Sequence, residues 1–341
     1  MHQADQLGTK PAAQFPGVIE WIADLPGIEW DRQLAEWQGH PLQSALWGDA
    51  RDRAGDPPHL RLLGLAANRP VCLARIEQRR IPAFGQVAWI SKGPTYAPGA
   101  EISAVHAALV AELRRRGFIL ALETPYSSLH VASKWHHRGP LNQTLILDLE
   151  DSEDAIWAKL PAKVRSQIRS AERKGVVVQE TRNSSEVTQF HAICASISRL
   201  KGFELPGSRE LMHQLVSACP YPADSPVKVR MLIARLGETI VGGYAFFTIG
   251  RRTHTIWSGF ERASGVSGAS DLLVWSTMRL SFRAGVRSFD QEGIDKKNNP
   301  STFNFKRKFC DNEIYVPGLH AYALGVRGAL ALRIGHLLGK I

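Results

Sequence analysis

The chain has 341 residues, of which 44% are hydrophobic and 22% charged, a composition that excludes wholesale disorder and suffices for two domains with cores of their own. Its net charge of +10 at pH 7 favours a polyanionic partner such as nucleic acid, a nucleotide or an anionic membrane face. It has four cysteines without Cys-x-x-Cys spacing, no signal-peptide pattern at its N-terminus and no apolar run of about 18 residues, so we expect a cytoplasmic protein with reduced thiols.

The first part of the chain predicts antiparallel strands followed by a helix and a further strand. Two apolar runs, 60–67 and 71–77, are separated by turn residues and indicate a hairpin. A third strand is predicted at 87–91. Apolar residues at helical spacing predict a helix over 102–116, and the run 118–122 predicts the next strand. This order is typical of an α+β fold.

The second part repeats that order. A hairpin is predicted over 229–249, a third strand over 253–259, a helix over 270–284 and a further strand over 286–289. The helix ends match as well, because Arg-Gly-Phe at 116–118 corresponds to Ala-Gly-Val about half the chain length later. We therefore predict two copies of one α+β unit.

A basic helix is predicted between the two units, over 162–174. Its cations Arg165, Arg169 and Arg173 lie four residues apart on one face, with Lys163 close by. Like charges at this spacing destabilise an isolated helix by about 0.2–0.5 kcal/mol per pair. We interpret the face as a surface for a polyanion, the alternative being a solvated face partly neutralised by Glu172.

The stretch 289–309 contains the residue types that an active site requires. Asp290 and Glu292 follow a predicted strand, a polar loop comes next, and Phe305 and Lys306 then stand side by side. Carboxylates at a strand end together with an amine beside an aromatic ring form a plausible site wall. The alternative is a surface loop before an ordinary basic helix.

Several common chemistries lack their motifs in this sequence. There is no G-x-S-x-G elbow and no phosphate-binding P-loop, and Trp135-His136-His137 lacks the spacing of metal ligands, so we expect no metal. Residues 262–268, before the second predicted helix, resemble the loop with which acetyltransferases of the GNAT class hold the pyrophosphate of coenzyme A. A flexible Gly/Ser turn is the alternative for this loop.

Taken together, the motifs resemble the Fem family of peptidyltransferases, which use aminoacyl-tRNA to build peptidoglycan side-chain bridges. The resemblance covers nearly the whole chain. It is carried by Lys163-Val-Arg165 to Gly175-Val176, Gln143-Thr144 to Asp148-Leu149, Phe289-Asp290, Phe305-Lys306 through Phe309, Trp89 to Pro94, and Gln43-Ser44 to Trp47-Gly48. It implies two tandem GNAT-like domains with mixed, mainly antiparallel sheets flanked by helices, without the long helical arm of many relatives.

On this basis we predict a first domain over 1–150, a second over 151–318 and a helical tail over 319–341. The tail is apolar with interspersed cations, a composition suited to a membrane surface or to packing on the protein. We expect it to pack on the first domain, and we expect a monomer with peripheral contact at the inner face of the membrane.

The resemblance also implies roles for individual residues. Lys306 would stabilise the oxyanion formed when an amine attacks the aminoacyl ester, and Phe305 would pack against the terminal adenosine or shape the channel. Asp290 and Glu292 would hold or deprotonate the acceptor amine, or serve only to cap and brace the loop. Three cations would assist with the diphosphate of the acceptor, namely Arg51, Arg199 and Lys201. Lys163, Arg165, Arg169 and Arg173 would contact tRNA.

Three hypotheses follow. The first is transfer of an aminoacyl group from aminoacyl-tRNA to an amine of a lipid-linked or UDP-linked muropeptide, with no bound cofactor. The second is N-acyl transfer from a coenzyme A thioester to a small-molecule or peptide amine, motivated by residues 262–268. The third is a non-catalytic relative that binds tRNA or membrane.

Overall fold

The computed structural model describes residues 18–23, 25–126, 137–219, 224–261 and 266–339. In chain order, the strands among these residues are β1 (Ile19–Ala23), β2 (His59–Ala66), β3 (Arg69–Ile81), β4 (Gly85–Ser91), β5 (Thr95–Tyr96), β6 (Phe118–Thr124), β7 (His137–Arg138), β8 (Asn142–Asp148), β9 (Val176–Glu180), β10 (Val227–Leu236), β11 (Thr239–Ile249), β12 (Arg252–Phe260), β13 (Ser288–Asp290), β14 (Glu313–Val316) and β15 (His320–Ala323).

A short 3₁₀ helix at Pro41–Gln43 accompanies the α-helices of the described residues. These are α1 (Gly27–Glu36), α2 (Ala45–Arg53), α3 (Ile102–Arg115), α4 (Glu153–Lys159), α5 (Ala162–Arg173), α6 (Ser184–Lys201), α7 (Arg209–Val216), α8 (Ala269–Arg283), α9 (Pro300–Arg307) and α10 (Val326–Leu337). No helix in this part of the chain has the length and apolar character needed to cross a membrane.

The strands form two mixed sheets that confirm the predicted α+β fold. The first has the order β1-β2-β3-β4-β6-β15-β7, with β5 paired to β3, and the second has the order β14-β8-β13-β12-β11-β10-β9. Each contains a parallel pair, β4 with β6 and β12 with β13, and its other pairings are antiparallel. The predicted repeat is visible in the matching order of β2-β3-β4-α3-β6 and β10-β11-β12-α8-β13.

β8 lies before residue 150 but pairs with β13 in the second sheet, on the other side of the predicted boundary. The tail over 319–341 was predicted to be helical, but its residues His320–Ala323 form the strand β15, which pairs with β6 in the first sheet. The chain thus crosses between the sheets more often than a simple division at 150 and 318 would require. The tail helix α10 packs on β6 and β15.

The two sheets are joined by a shared hydrophobic core. Trp30 of α1 and Trp47 of α2 pack in one buried cluster with Phe190 of α6 and with Phe247 and Trp257 of the second sheet. On the opposite face of that sheet, α5 and α8 cover a second cluster. Burial of this apolar surface holds the two halves in a fixed relation, which allows side chains of both halves to meet between them.

Sequence patterns did not predict α1, α7, β9 and β14. α1 contains only two strongly buried apolar anchors, Trp30 and Leu34, within an otherwise polar segment. β9 and β14 are edge strands of four or five residues with partly exposed side chains, so neither shows the alternation of a half-buried strand.

Candidate active site

Lys306 lies in the last turn of α9, and its ammonium group is held by two backbone carbonyls. Its Nζ donates to the carbonyl oxygen of Glu292 at 3.0 Å and to that of Gly293 at 2.8 Å. Burial lowers the pKa of Lys306 from 10.5 to about 8, only partly offset by the carboxylates of Glu292 and Asp290. Lys306 is therefore a cation at neutral pH, and it loses its proton when the pH rises about one unit above neutral.

Local structure explains why the two carbonyls face Lys306. After β13 the backbone turns sharply, with Glu292 in the left-handed region at φ 59°. Gln291 fastens this turn to α9, since its Nε2 donates to the carbonyl oxygen of Lys306 at 3.1 Å. α9 itself begins with an Asn299 cap, whose side chain accepts from the backbone N–H of Thr302, followed by Pro300 at its first position.

The carboxylate of Glu292 accepts three hydrogen bonds from side chains of both halves of the chain. His40 Nε2 lies 2.7 Å away, His254 Nδ1 2.8 Å and Lys92 Nζ 3.2 Å. Burial alone would raise the pKa of Glu292, but Lys92 and the two histidines hold it well below its usual value. Glu292 is thus an anion at neutral pH, and it joins the first half to the second.

The tautomer of His40 is fixed by its surroundings. The backbone N–H of Leu42 donates to His40 Nδ1 at 3.1 Å, so this nitrogen has no proton and Nε2–H donates to Glu292. Burial lowers the pKa of His40 to about 3, which keeps the ring neutral.

Ligand atoms of His40, His254 and Glu292 all lie within 4.8 Å of one another, a spacing that invites comparison with a metal site. A cation on Nε2 of His40 would leave both ring nitrogens without a proton, because Nδ1 already accepts from Leu42. It would also lie beside the ammonium of Lys92, 3.2 Å from the same carboxylate. This cluster therefore does not fit a divalent cation.

Asp290 is completely buried, and both oxygens of its carboxylate accept hydrogen bonds from other groups of the protein. Tyr126 OH donates to it at 2.5 Å, the backbone N–H of Glu292 donates at 2.7 Å, and Thr144 donates through its hydroxyl. The Tyr126 hydroxyl in turn accepts from Arg252 Nη1 at 2.9 Å. This environment favours the bracing role of Asp290 over contact with an acceptor amine.

Phe305 precedes Lys306 in α9, and its ring packs against other aromatic side chains of the second half. Its ring lies 5.9 Å from that of Phe260 and 5.6 Å from that of Phe309, measured between centroids. Lys308 Nζ lies 5.0 Å from the centre of the Phe305 ring and 3.0 Å from Asp271 Oδ1. The half-buried aromatic surface is thus continuous with the core of the second sheet.

The three predicted acceptor-binding cations do not form one group. Lys201 Nζ reaches the start of α9, at 3.1 Å from Ser301 Oγ and 3.3 Å from Thr302 Oγ1. Arg199 is exposed in the last turn of α6. Arg51 lies in α2, 3.6 Å from Glu77 Oε2 and 3.5 Å from Asp56 Oδ2. The structure therefore brings Lys201 to the first turn of α9, the helix whose last turn contains Lys306, and leaves Arg51 in a separate ionic network.

The predicted basic face is formed as the spacing indicated. Val164, Ile168 and Ala171 of α5 are buried. Arg165 donates to the carbonyl oxygen of Ala158 at 2.9 Å, and the guanidinium of Arg169 lies 5.4 Å from the centre of the Trp157 ring. The four cations of this face are Lys163, Arg165, Arg169 and Arg173. No carboxylate of the described residues, not even that of Glu172, forms an ion pair with any of them.

The loop that resembles a pyrophosphate site is described only in its second half, since residues 262–265 lie outside the described ranges, as do Trp135 and His136. Gly268 caps the start of α8 at φ 89°, and a Cβ there would lie 2.1 Å from the carbonyl oxygen of Gln167 in α5. The first turn of α8 also contains the buried carboxylate of Asp271. The carbonyl oxygen of Gln167 opposes the binding of a pyrophosphate at this helix start, whereas the carboxylate of Asp271 is paired with Lys308 Nζ at 3.0 Å.

Sequence reasoning missed His40, Lys92, Tyr126, Thr144 and His254. Lys92 and Thr144 fell within segments that carried the resemblance, Trp89 to Pro94 and Gln143-Thr144 to Asp148-Leu149, but neither was given a role. The others are separated by up to 252 residues from the carboxylate that they contact, as His40 is from Glu292. A local pattern has no means of showing such a contact.

Residues 158–307 match the acetyltransferase (GNAT) domain family. No curated protein matches the sequence. Among solved structures, FemX is similar with a TM-score of 0.74 at 11% identity, over 92% of this chain and 99% of that one. The C-terminal domain of a putative lysylphosphatidylglycerol synthetase from Agrobacterium fabrum has a TM-score of 0.55 at 16% identity, over 92% and 97%. A tandem GNAT protein from the clavulanic acid biosynthesis pathway has 0.52 at 13%, over 90% and 99%.

These similarities confirm that the chain has the tandem GNAT fold that FemX also has. The GNAT domain match covers the strand, the turn and the helix that present Lys306. The GNAT domain match accordingly identifies a transferase of the acyl-transferring class.

Proposed function

We propose that this transferase moves an aminoacyl group from aminoacyl-tRNA to an amine of a peptidoglycan precursor. The observation that carries the proposal is the Lys306 cation, partly buried and held by two backbone carbonyls. The FemX-like fold and the unpaired basic face of α5 support it.

The transfer reaction requires little general-base catalysis from the protein. The acceptor amine attacks the ester carbonyl, a C–N bond forms, and the C–O bond to the tRNA ribose breaks. The amine loses a proton and the ribose oxygen gains one, so the overall step consumes no proton. The ammonium of Lys306 would stabilise the negative charge that develops on the carbonyl oxygen. Asp290 and Glu292, both occupied by protein donors, would position the turn that holds Lys306.

The donor distinguishes this proposal from coenzyme A chemistry on the same fold. The carbonyl oxygen of Gln167 disfavours a pyrophosphate at the start of α8, whereas the basic face of α5 suits a polyanion. We expect transfer from a charged tRNA pool to lipid-linked or UDP-linked muropeptide that ribonuclease abolishes, and no binding of coenzyme A by calorimetry. Coenzyme A binding together with ribonuclease-resistant transfer would instead establish the N-acyltransferase.

Two cations at the end of α6 would assist with the diphosphate of the acceptor. Lys201 Nζ lies 3.1 Å from Ser301 Oγ at the start of α9, and Arg199 precedes Lys201 by two residues in α6. Arg51 would contribute only by exchanging its carboxylate partners for the diphosphate. The proposed enzyme is a cytoplasmic monomer that binds its acceptor at the inner face of the membrane.

The basic face of α5 gives a separate test of the tRNA assignment. We expect Arg165→Gln, Arg169→Gln and Arg173→Gln together to weaken tRNA binding at least tenfold at moderate salt. The slope of log affinity against log salt should flatten by about 0.7–0.9 for each phosphate contact removed. Fluorescence anisotropy at several salt concentrations measures both quantities.

A matched control for this triple variant is Arg69→Gln, Arg80→Gln and Arg114→Gln. These three arginines are exposed in the first half of the chain and make no ion pair with a carboxylate of the described residues. Equal loss in the two triple variants would mean that tRNA responds to net charge and not to α5.

A further inference from the structure

The tail helix α10 packs on the first sheet with its smallest side chains. Gly328 and Ala331 are buried, together with Leu332. A Cβ at Gly328 would lie 1.9 Å from the carbonyl oxygen of Ile119, so the helix backbone lies directly on β6. The contact thus depends on close approach and leaves most of the large side chains of the helix elsewhere.

Those large side chains form an exposed apolar stripe. Relative to their full surface, the side chains are exposed by 88% at Val326, 51% at Leu330, 37% at Ile334, 85% at Leu337 and 67% at Leu338. Spacings of four, four, three and one residues place all five on one face of a helix. A surface helix ordinarily turns its apolar face toward the core and its polar face toward water, whereas α10 buries apolar residues on one face and exposes further apolar side chains on the other.

The charges around the stripe have one sign. Arg327 and Arg333 flank it, and neither forms an ion pair with a carboxylate of the described residues. The sequence from 319 to 341 contains no aspartate or glutamate at all. Two copies of the stripe facing each other would bring arginines together without acids to pair them, which opposes a symmetric dimer through this face. An anionic bilayer surface provides negative charge for the arginines and apolar acyl chains for the stripe.

We propose that α10 is the surface through which the protein binds an anionic phospholipid bilayer. Its 12 residues span about 18 Å at 1.5 Å per residue, which is shorter than the roughly 30 Å of a bilayer core. The helix therefore lies along the bilayer surface, with the apolar stripe among the acyl chains and the arginines at the phosphates. This inference deepens the proposed function by assigning the contact with a lipid-linked acceptor, but the binding itself requires no transfer chemistry.

Co-sedimentation with vesicles of phosphatidylglycerol or phosphatidylcholine tests the assignment on the full chain. We expect binding to phosphatidylglycerol vesicles that weakens with added salt. Leu330→Gln with Leu337→Gln should lower the partition coefficient at least tenfold, because two exposed apolar side chains are lost. Arg327→Gln with Arg333→Gln should reduce the preference for phosphatidylglycerol by about tenfold while retaining the apolar contact. The matched control is Val18→Gln with Val177→Gln, two residues exposed by 93% and 58% outside α10.

Three outcomes would overturn the assignment. The first is absence of wild-type binding to phosphatidylglycerol vesicles, and the second is equal binding by the leucine pair and the control pair. The third is a wild-type dimer in sedimentation equilibrium that the leucine pair converts to monomer, since a second copy would then occupy the stripe. The Lys306→Met variant should bind vesicles as the wild type does, which separates this surface from the transfer reaction.

Discussion

We expect Lys306→Met to lower the rate of aminoacyl transfer by about 10²–10³-fold, the loss usual when one donor to a developing oxyanion is removed. Methionine retains most of the apolar stem but provides no cation for the carbonyl oxygen of the ester. Burial already disfavours the charge of Lys306, as its lowered pKa shows, so its removal should leave the thermal unfolding temperature nearly unchanged. Single-turnover transfer at saturating substrate measures the rate directly.

Lys297→Met is the matched control for this change. Lys297 lies in the loop that precedes α9, is exposed and forms no ion pair with a carboxylate of the described residues. An undiminished rate in Lys306→Met would contradict the catalytic role of Lys306. It would favour the hypothesis that the protein binds tRNA or membrane without catalysis.

The pH dependence of the rate provides a second check on Lys306. With a pKa of about 8, the cation is present below that pH and is lost as the pH rises through it. Acceptor deprotonation raises the rate with pH in every variant, so the informative quantity is the ratio of wild type to Lys306→Arg. Because arginine stays charged, the ratio should fall above about pH 8. A ratio that rises there would mean that Lys306 acts as a neutral base.

We expect Glu292→Gln to reduce the free energy of unfolding by about 3 kcal/mol, near the lower end of the range for breaking a buried ion pair. The substitution leaves the ammonium of Lys92 without its carboxylate and removes an anion that accepts from both histidines. Transfer should fall as well, because the carbonyl oxygen of residue 292 holds Lys306. Denaturant unfolding and single-turnover transfer give the two values.

A double-mutant cycle identifies the source of that loss. If the unpaired Lys92 causes most of it, Glu292→Gln with Lys92→Met should be less destabilised than the sum of the two single variants. Glu313→Gln is the control, since the ion pair of Glu313 with Lys296 is partly exposed and should be worth at most about 1 kcal/mol. Strict additivity in the cycle would contradict a coupled cluster.

The stability due to Glu292 should depend on pH in a defined direction. Its pKa is held well below its ordinary value in the folded protein, so its stabilising effect is present at neutral pH and is lost as the pH falls through that lowered pKa. The difference between the wild type and Glu292→Gln should therefore shrink in acid.

The sequence predicted those parts of the molecule whose cause is local. The hairpin of β2 and β3 follows from two apolar runs around a turn in which Ala67 and Asn68 adopt positive φ. Lys306 and Glu292 were predicted because they share one short loop and helix. Their partners were not predicted, because His40 and Lys92 reach Glu292 only after the two sheets have packed.

The role of Asp290 illustrates the same limit. A carboxylate at a strand end is compatible with catalysis or with bracing until its neighbours are known. Burial together with the hydroxyls of Tyr126 and Thr144 favours bracing, and neither neighbour lies near Asp290 in the chain. Arg51, by contrast, has the right residue type for a phosphate, but the structure surrounds it with Glu77 and Asp56.

The place of β15 between β6 and β7 has a consequence for how the protein is made. During synthesis, β6 can pair with β4 early but gains its second neighbour, β15, only after every residue of the second sheet has been made. Until then one side of β6 is an open edge to which another chain can add. Completion of the first sheet thus waits for synthesis of the second, and no single cut divides the chain into two halves that are each complete.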